Sequence, residues 1–327
     1  MRRWLGFIGL VSITLPLCTL SEIATASPPA SAMEWRITAP TNWVGDGQQP
    51  VAFLNVATDD AGNVYVANFS SALVFDGQTG ALQHAIVDST RTVVQYDDVE
   101  PVGDGTIWVA DSKSFLVHLL AADGTVVRSI APTIADSPDS RMAPNEVEIG
   151  PDGNLYVMYS SAHTVMQVFT PDGGFVRSFD MGDSKLSTGL NDFAFGPDGN
   201  LYIAGVSTVR VFDVEGVMVT EMFAPDFVAA STAGIHGITV DLAGNVYVGG
   251  NAFADDGSLV AAMYKLDASG QVVAQFGHAQ QRPNWGSEFQ PEELGFTVSM
   301  AILPEGQVVI SDLNGAYSQL LRVTMAG

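Results

Sequence analysis

Short strand-like segments of mainly apolar residues follow one another along the chain, separated by polar turns that contain glycine. One order recurs six times: an apolar segment, an Asp-Gly-type turn, and a second segment of the form Val/Leu-Tyr-Val/Ile. A representative copy runs from Pro151 to Val157 with the sequence PDGNLYV. Tight hairpins need glycine because it adopts positive φ without strain. The pattern therefore predicts repeated β-hairpins, with turn glycines at Gly62, Gly105, Gly153, Gly199, Gly244 and Gly306.

The spacing of these turns predicts the fold. The turn glycines lie 43, 48, 46, 45 and 62 residues apart. An all-strand repeat of about 40–50 residues is typical of a propeller blade. We predict an all-β, six-bladed β-propeller with four-stranded blades, and we label the strands of a blade A to D from the axis outward. In the third blade the segments are 146–150, 155–159, 165–170 and 175–179.

A second glycine turn joins strand C to strand D in each of the first five repeats. In the third blade it is Asp172-Gly173, and its predicted counterparts are Asp76-Gly77, Asp123-Gly124, Glu215-Gly216 and Ser269-Gly270. These pairs lack the alternating oxygen ligands of calcium loops. We interpret them as turns.

The two chain ends are predicted to share the last blade. The sixth repeat ends after its strand C, at about 319–324, and leaves no residues for a strand D. An unassigned strand-like segment at 34–38 precedes the first blade. We predict that this segment becomes the outer strand of blade six, because pairing there would cover an open sheet edge and close the ring.

The N-terminus has the composition of a secretion signal. Arg2 and Arg3 form a charged start, an apolar run follows to about Leu20, and small residues then fit a cleavage site. The apolar run is short for a membrane-spanning helix. We predict a cleaved signal at residues 1–32 and one propeller domain at residues 33–327. The protein is then secreted or periplasmic, with no integral membrane segment after signal removal.

Charge and cysteine content narrow the partners and cofactors. The chain has 13 Lys and Arg against 36 Asp and Glu, and removal of residues 1–32 would leave 11 against 35. So acidic a surface disfavours nucleic acid and anionic membranes. The single cysteine, Cys18, lies in the predicted signal, which excludes a thiolate-bound metal. We expect no nucleotide cofactor and a monomeric protein.

The order of the strands separates the connections into two faces. In an up-and-down blade the A–B and C–D turns share one face, here called the tight-turn face. The B–C and D–A connections share the other, here called the loop-rich face, and functional residues often lie in such loops. The longest connection, 277–297, carries Arg282, Trp285 and Phe289. We predict that it is a lid over the loop-rich mouth of the central tunnel; a plain insertion is the alternative.

Strand A lines the tunnel, and its residues can be placed by counting back from each turn glycine. Eight positions back, at the loop-rich mouth, are Leu54, Asp97, Asn145, Asn191, His236 and Val298. The next residues inward are Asn55, Asp98, Glu146, Asp192, Gly237 and Ser299. Two positions deeper are Ala57, Glu100, Glu148, Ala194, Thr239 and Ala301. The apolar residues between them should pack between blades: Val56, Val99, Val147, Phe193, Ile238 and Met300.

Six carboxylates therefore come from three neighbouring strands, and Asp98, Glu100, Glu146 and Glu148 are predicted to line the tunnel. Two bare charges about 4 Å apart repel by about 4 kcal/mol at an effective dielectric of 20. The cluster could hold a cation, retain protons, pair with Arg91 or Arg141, or stay hydrated.

A metal would lie at the mouth. Asp97, Asn145 and Asn191 offer oxygen ligands, which suit Ca²⁺, with Mg²⁺ and Zn²⁺ less well matched. A water-filled polar tunnel is the alternative to a metal site.

The catalytic candidates are His236 and Asp192. His236 could act as a general base whose pKa is raised by nearby carboxylates, or it could simply cap the start of a strand. His84 and His118 fall in outer strands, and we predict structural roles for them.

Two families resemble this sequence. The segment His236–Val248, HGITVDLAGNVYV, resembles an NHL repeat, as does Val165–Gly173, VMQVFTPDG. This resemblance covers essentially the whole mature chain and implies a propeller, and NHL propellers include scaffolds, binding modules and enzymes. Asn145 and Asn191, in PNEV and LNDF, look like the two metal-binding asparagines of the gluconolactonase/regucalcin group. His236 stands where that group has an aspartate that is both ligand and catalytic base.

Two functions remain open. The first is a binding module that recognises a small molecule, peptide, glycan or protein at the loop-rich mouth. The second is a metal-dependent hydrolase or lyase, lactonase- or esterase-like, at the same mouth. There a metal would polarise a carbonyl or activate water, and His236 or Asp192 would move the proton.

Overall fold

The computed structural model describes residues 31–40, 52–91, 94–133, 142–160, 164–181, 192–205, 208–223, 234–253, 259–277, 294–313 and 317–325. These residues form β-strands joined by turns, as the repeat predicts. The described part of the chain contains no helix of the length and apolarity that a membrane crossing requires.

Twenty-four strands are described, and each carries its number in chain order. The first twelve are β1 (Ser31–Pro40), β2 (Val56–Thr58), β3 (Asn63–Asn68), β4 (Ser71–Asp76), β5 (Leu82–Ile86), β6 (Tyr96–Pro101), β7 (Ile107–Asp111), β8 (Leu116–Leu120), β9 (Val126–Ile130), β10 (Ala143–Ile149), β11 (Leu155–Ser160) and β12 (Thr164–Phe169). The others are β13 (Phe175–Asp180), β14 (Phe193–Phe195), β15 (Leu201–Ala204), β16 (Thr208–Phe212), β17 (Met218–Phe223), β18 (Gly234–Val240), β19 (Val246–Phe253), β20 (Leu259–Leu266), β21 (Val272–Phe276), β22 (Phe296–Ile302), β23 (Val308–Leu313) and β24 (Tyr317–Met325).

The strands form six antiparallel sheets of four, and the sheets are the blades of a β-propeller. Five sheets follow chain order, from β2-β3-β4-β5 to β18-β19-β20-β21, and the sixth has the order β1-β24-β23-β22. The innermost strands contact one another around an axis: β2 contacts both β6 and β22, and β18 contacts β14 and β22. The contact between β2 and β22 closes the ring, so the predicted fold class is confirmed.

The outer strand of blade six comes from the N-terminal part of the chain, as predicted. Strand β1 pairs with β24 along its whole length, with Trp35 opposite Arg322. Trp35 is buried, and its indole Nε1 donates to the carbonyl oxygen of Gly77 at 3.0 Å. Arg322 Nη1 donates to the same oxygen at 2.7 Å. Strand β1 therefore ties blade six to the C–D turn of blade one.

The hydrophobic core consists of six clusters, each built from two neighbouring blades. Each cluster contains one of the six strand-A residues predicted to pack between blades, and all six are buried: Val56, Val99, Val147, Phe193, Ile238 and Met300. Apolar burial is the main force that favours folding. Here it also joins each blade to the next, which holds the tunnel walls in register.

The Asp-Gly motif of the A–B turns forms a repeated hydrogen-bonded cluster. In blade five Asp241 Oδ1 accepts from the backbone N–H groups of Ala243 and Asn245, at 2.9 and 2.8 Å. Its Oδ2 accepts from Asn245 Nδ2 at 2.7 Å and from the Tyr247 hydroxyl at 3.1 Å. The equivalent aspartates are Asp59, Asp152 and Asp198. The Tyr of the repeat is thus anchored by the turn that precedes it.

The aspartate of this cluster stands at one of two positions in the turn, depending on the blade. In blades one and five the aspartate stands three residues before the turn glycine, whereas in blades three and four it stands one residue before it. In blade three a Cβ on Gly150, at the vacated position, would lie 2.5 Å from the Tyr156 ring and 3.0 Å from Asp152 Oδ1. The vacated position must therefore be glycine when the aspartate comes from the later one.

The C–D turn of blade one follows Asp76 as predicted, but its Gly77 does not have the positive φ of the other turn glycines. All six A–B glycines have positive φ, between 75° and 91°. In the C–D turn of blade one, however, the residue with positive φ is Gly80, at 71°, and its N–H donates to Asp76 O. Gly77 is required for a different reason, because a Cβ there would lie 2.3 Å from the carbonyl oxygen of Gly62.

Candidate functional site at the axial tunnel

A β-bulge marks the loop-rich end of strand A in four blades. The register of pairing with strand B shifts at Asp97, Asn145, His236 and Val298. In blade one Leu54 N donates to Ala67 O and Ala67 N donates to Asn55 O, so two residues again oppose one. A bulge lets consecutive side chains be re-aimed. The bulge explains how a mouth residue and the residue after it can both face the tunnel.

Asp97 is held by its own blade. Gln95 Nε2 donates to Asp97 Oδ1 at 3.2 Å, and Ser112 supplies further hydrogen bonds. Burial raises the pKa of the carboxyl above its ordinary value, and the nearby charge of Asp111 acts in the same direction. Asn145 is half-buried at the equivalent bulge of blade three. Asn191, the third predicted ligand, lies outside the described residues.

His236 is placed at its bulge between an amide and an aromatic ring. Its ring lies 4.1 Å from that of Phe296, centroid to centroid, with 34° between the planes, and it is hydrogen-bonded to Asn251. Burial lowers the pKa of His236 to about 4. The expectation that carboxylates would raise this pKa was wrong, because the tunnel carboxylates are not among its partners. The predicted lid residues Arg282, Trp285 and Phe289 lie outside the described residues.

Sequence reasoning did not single out Asn251 and Phe296. Both stand at strand ends on the loop-rich face, and Asn251 is buried. The signal available in the sequence was the polar Asn251 directly after the strand-B segment VYVGG, because a polar side chain in a buried strand needs a hydrogen-bond partner.

Deeper in the tunnel, acidic and hydroxyl side chains link each blade to the next. Asp98 Oδ2 accepts from the backbone N–H of Val147 at 2.7 Å, and Asp192 Oδ2 accepts from that of Ile238 at 3.0 Å. Ser299 Oγ accepts from Val56 N at 3.4 Å. These side chains come from blades two, four and six, and each caps the following blade. They therefore have a structural role in the ring.

Glu146 and Asp192 form the centre of this level. Asn55 Nδ2 donates to Glu146 Oε1 at 3.1 Å from two blades away, so the tunnel is spanned here by side chains. Glu146 and Asp192 are also in hydrogen-bond contact, which requires one of them to carry a proton. Burial raises the pKa of both carboxyls, that of Asp192 to about 7. The two carboxyls therefore share a proton.

Two further glutamates lie one level closer to the tight-turn face. Glu100 Oε1 accepts from Ile149 N at 3.2 Å, and Glu148 Oε1 accepts from Phe195 N at 3.3 Å. Burial raises the pKa of Glu100 to about 8 and raises that of Glu148 well above its ordinary value. Of the possible forms of relief for the acidic cluster, retention of protons is the one these contacts favour.

Arg91 does not relieve the tunnel carboxylates. It pairs instead with Asp88 and, at 2.9 Å, with Asp111, at the loop-rich side of blade two. Its Nη1 also lies 2.6 Å from His118 Nε2. Because a guanidinium only donates, this nitrogen must accept, and His118 Nδ1 then carries the proton that meets Ser129 Oγ at 2.7 Å. His118 is buried in this network, as its predicted structural role requires, and Arg141 lies outside the described residues.

The tunnel carboxylates line a cavity of about 660 Å³. Asp98, Glu146 and Asp192 lie at its inner end, and Glu100 and Glu148 lie along it. It continues to the A–B turns of blades one, five and six, where Asp59, Asp241 and Glu305 line it. The cavity therefore reaches the tight-turn face, whereas the prediction had considered only the loop-rich mouth.

The described mouth residues, which do not include Asn191, do not by themselves supply the ligands of a divalent metal. Within the described ranges no three His, Cys, Asp or Glu residues are grouped so that they could hold a metal ion. At the mouth level Asp97 and Asn145 supply oxygen donors, but Leu54 and Val298 supply none and His236 bonds to Asn251. Calcium takes six to eight oxygen ligands. The described donors fall short of that set, so we derive no chemical step through a metal.

Comparison with known proteins identifies the fold. No family model matches the sequence, and no curated protein matches it as a relative. Solved structures match in fold. A gluconolactonase from Xanthomonas campestris matches with a TM-score of 0.59 and 13% identity, over 93% of this chain and 98% of its own.

Two other solved structures match over similar lengths. A calcium-binding regucalcin from Agrobacterium tumefaciens has a TM-score of 0.55 and 13% identity, over 84% of this chain and 92% of its own. A streptogramin B lyase has a TM-score of 0.53 and 12% identity, over 88% and 98%. At such identities the similarity shows the fold alone: a propeller like those of the gluconolactonase and regucalcin group. The NHL resemblance stays a prediction.

Proposed function

We propose that this protein is an exported, monomeric binding propeller that holds a small molecule at the loop-rich mouth of its tunnel. The observation that carries the proposal is the β-bulge that recurs at Asp97, Asn145 and His236, at the loop-rich end of strand A in three blades. Bulges are frequent beside binding and active sites because they re-aim side chains. The stacked rings of His236 and Phe296 offer an apolar surface beside two polar groups, which is the usual make-up of a ligand site.

A ligand screen tests this proposal. We would follow the thermal unfolding of the protein with sugar acids, sugar lactones, oligosaccharides and short peptides. A ligand at about 100 times its Kd stabilises the folded state by roughly 2.7 kcal/mol. Any ligand found is then titrated into His236→Ala, which should bind it at least roughly tenfold more weakly, since a central contact is worth over 1 kcal/mol.

The matched control is His84→Ala, which removes an exposed histidine from strand β5 and should bind as wild type does. Equal binding by the two histidine variants would show that the ligand lies elsewhere. A screen without any stabilising ligand would count against the binding function.

A second function, a hydrolase or lyase, is supported by one separate observation. Glu146 and Asp192 share a proton at the inner end of the cavity, and the pKa of Asp192 is raised by burial to about 7. A carboxyl group with a pKa near the working pH is suited to general acid–base catalysis. The gluconolactonase and the streptogramin B lyase are propellers of the same fold, which makes lactones and esters the first substrates to test.

Turnover of a lactone and ester panel tests the enzyme hypothesis. Asp192→Asn should lower kcat by roughly 100-fold or more, the usual contribution of a general acid or base. Asp123→Asn, in an exposed C–D turn, is the matched control and should retain full activity. Turnover that survives Asp192→Asn would remove this residue from the mechanism.

A further inference from the structure

The cavity that opens on the tight-turn face has acidic residues as its only charged lining among the described residues. Among the described residues that line it, nine are Asp or Glu and none is Lys, Arg or His. Asp59, Asp60, Asp241 and Glu305 lie at its outer rim, in the A–B turns, and the tunnel carboxylates lie further in. A cleft of one sign concentrates counter-ions of the opposite sign. The acidic rim will therefore attract cations to the mouth of this cavity.

Two carboxylate oxygens inside the cavity lack a donor. Glu146 is 4% exposed, and apart from the proton that its carboxyl shares with Asp192, its Oε2 is buried with no hydrogen-bond partner. Glu148 Oε2 is also buried with no hydrogen-bond partner. In each glutamate the other oxygen is satisfied, Glu146 Oε1 by Asn55 and Glu148 Oε1 by Phe195. A buried acceptor without a donor is costly, so each of these oxygens has an unused site for a donor from a ligand.

The size of the cavity indicates an organic cation. Its volume of about 660 Å³ falls within the roughly 300–1,000 Å³ of small-molecule pockets and greatly exceeds the space of a metal ion. Within the described ranges no three acidic or His residues converge closely enough to chelate a metal. An ammonium group, in contrast, needs only two or three separate acceptors, because its N–H donors point in different directions.

The walls of the cavity suit an alkyl chain between the charges. Ala57, Ala194 and Ala301 face it at the level of Glu100 and Glu148, and Phe195 lines it nearby. Glu146 and Glu148 are two residues apart on β10 and project from the same face of that strand. Residues so placed are about 6.6 Å apart, a separation that the two nitrogens of a short alkane-diamine can span.

We propose that this cavity is a second binding site, open to the tight-turn face, that takes a small aliphatic amine or diamine. One ammonium group of a diamine would donate to Glu146 Oε2 and the other to Glu148 Oε2, and the methylene groups would pack against the alanines. The site opens at the opposite end of the tunnel from the bulge residues, so it goes beyond the function proposed for the loop-rich mouth, and it shares Glu146 with the inner carboxyl pair.

Calorimetric titration of the full chain with 1,4-diaminobutane at low ionic strength tests the proposal. Saturable binding of one equivalent is expected, with no binding of the uncharged analogue 1,4-butanediol. Glu148→Gln should weaken the diamine by roughly tenfold or more, because a bound ammonium displaces the proton that Glu148 otherwise retains and pairs with the resulting carboxylate, which Gln cannot supply. Glu215→Gln, the same change on an exposed turn of the same face, should leave the Kd within about twofold.

Three results would overturn the proposal: no saturable diamine binding, equal weakening by Glu215→Gln and Glu148→Gln, or saturable binding of CaCl₂ in place of the diamine. Equal weakening would mean general attraction to an acidic surface, and calcium alone would mean a metal site. If Glu148→Gln does not melt cooperatively, Glu146→Gln, the change at the other proposed contact, takes its place. His236→Ala should leave diamine binding unchanged, so failure here and failure of the loop-rich mouth proposal remain distinguishable.

Discussion

The two faces of the disc are built on different principles. On the tight-turn face the same solution recurs, and four A–B turns use an aspartate to hold an Asn amide and a Tyr hydroxyl. On the loop-rich face the backbone recurs as a bulge, but the residue at the bulge changes from blade to blade among Leu, Asp, Asn, His and Val. Repetition of residues therefore accompanies a structural task, and repetition of backbone with varied residues accompanies the surface that we propose binds a ligand.

The largest loss of stability should come from removing strand β1, which closes the ring. Deletion of residues 33–40 removes most of β1, including the buried Trp35 and Ile37, and leaves the edge of β24 open. Loss of two large buried side chains costs several kcal/mol, and each kcal/mol is worth about 2–4 °C in a chain of this size. The melting temperature should fall by roughly 10 °C or more in a thermal melt.

The control for this deletion is removal of residues 1–30 alone, which leaves β1 in place and should not change the melt. An unchanged melting curve after loss of residues 33–40 would show that the N-terminal strand does not close the ring in solution.

The next largest effect should separate the turns that form the Asp-Asn-Tyr cluster from those that do not. Asp241→Ala leaves the hydroxyl of the buried Tyr247 without its acceptor. An unsatisfied buried group costs roughly 1–3 kcal/mol, so the melting temperature should fall by several degrees. Asp104 occupies the A–B turn of blade two, where Trp108 replaces the Tyr, and it bonds only to Thr106.

Asp104→Ala is therefore the matched control, with a smaller loss expected in the same thermal melt. Equal losses would mean that the aspartate only supports the turn backbone, and that the Tyr hydroxyl contributes nothing to the repeat.

The sequence predicts local turns well and contacts between distant segments poorly. The glycines and Asp-Gly turns predicted six blades, because a turn with positive φ is a local requirement that residue type reveals. The incomplete sixth repeat and the unassigned segment at 34–38 predicted the closing strand. The failure at Gly77 is instructive, since that glycine is required by the approach of Gly62 from another turn. Contacts between distant segments leave no local signal.

The register of strand A was also predictable, because the buried and tunnel-facing positions alternate. The register could not reveal the hydrogen-bond partners and protonation of the carboxyls and of His236. The carboxylates hydrogen-bond to the backbone of the next blade and retain protons, and His236 packs on Phe296. Burial, which depends on the assembled ring, decides those pKa values.

A smaller effect should appear in the pH dependence of stability, and the tunnel sets its sign. Burial raises the pKa of Glu100 to about 8, so the folded state binds a proton that the unfolded state releases above about pH 4.3. The stabilisation is complete below that pH and is lost as pH rises towards 8. The melting temperature should therefore fall between pH 5 and 9, and Glu100→Gln should make the fall less steep.

Glu215→Gln, on the exposed turn, should leave the slope of wild type. The other buried tunnel carboxylates have raised pKa values of the same sign, so part of the slope should persist in Glu100→Gln. A melting temperature that rises over this range would contradict the buried, protonated state of the tunnel.

The smallest effect distinguishes the loop-rich mouth from the tunnel, because the His236 contribution to stability changes with pH in the opposite direction to that of the tunnel carboxyls. Burial lowers its pKa to about 4, so the folded state prefers the neutral ring. This contribution is present above about pH 6.5 and is lost as pH falls towards 4. An NMR titration of the imidazole C–H signals, assigned with His236→Ala, should show the His236 signal unchanged from pH 8 to pH 5.5. A midpoint between pH 6 and 7 would mean that the ring is solvated and does not stack on Phe296 as described. The mouth would then lose its apolar surface, while the tunnel carboxylates would be unaffected.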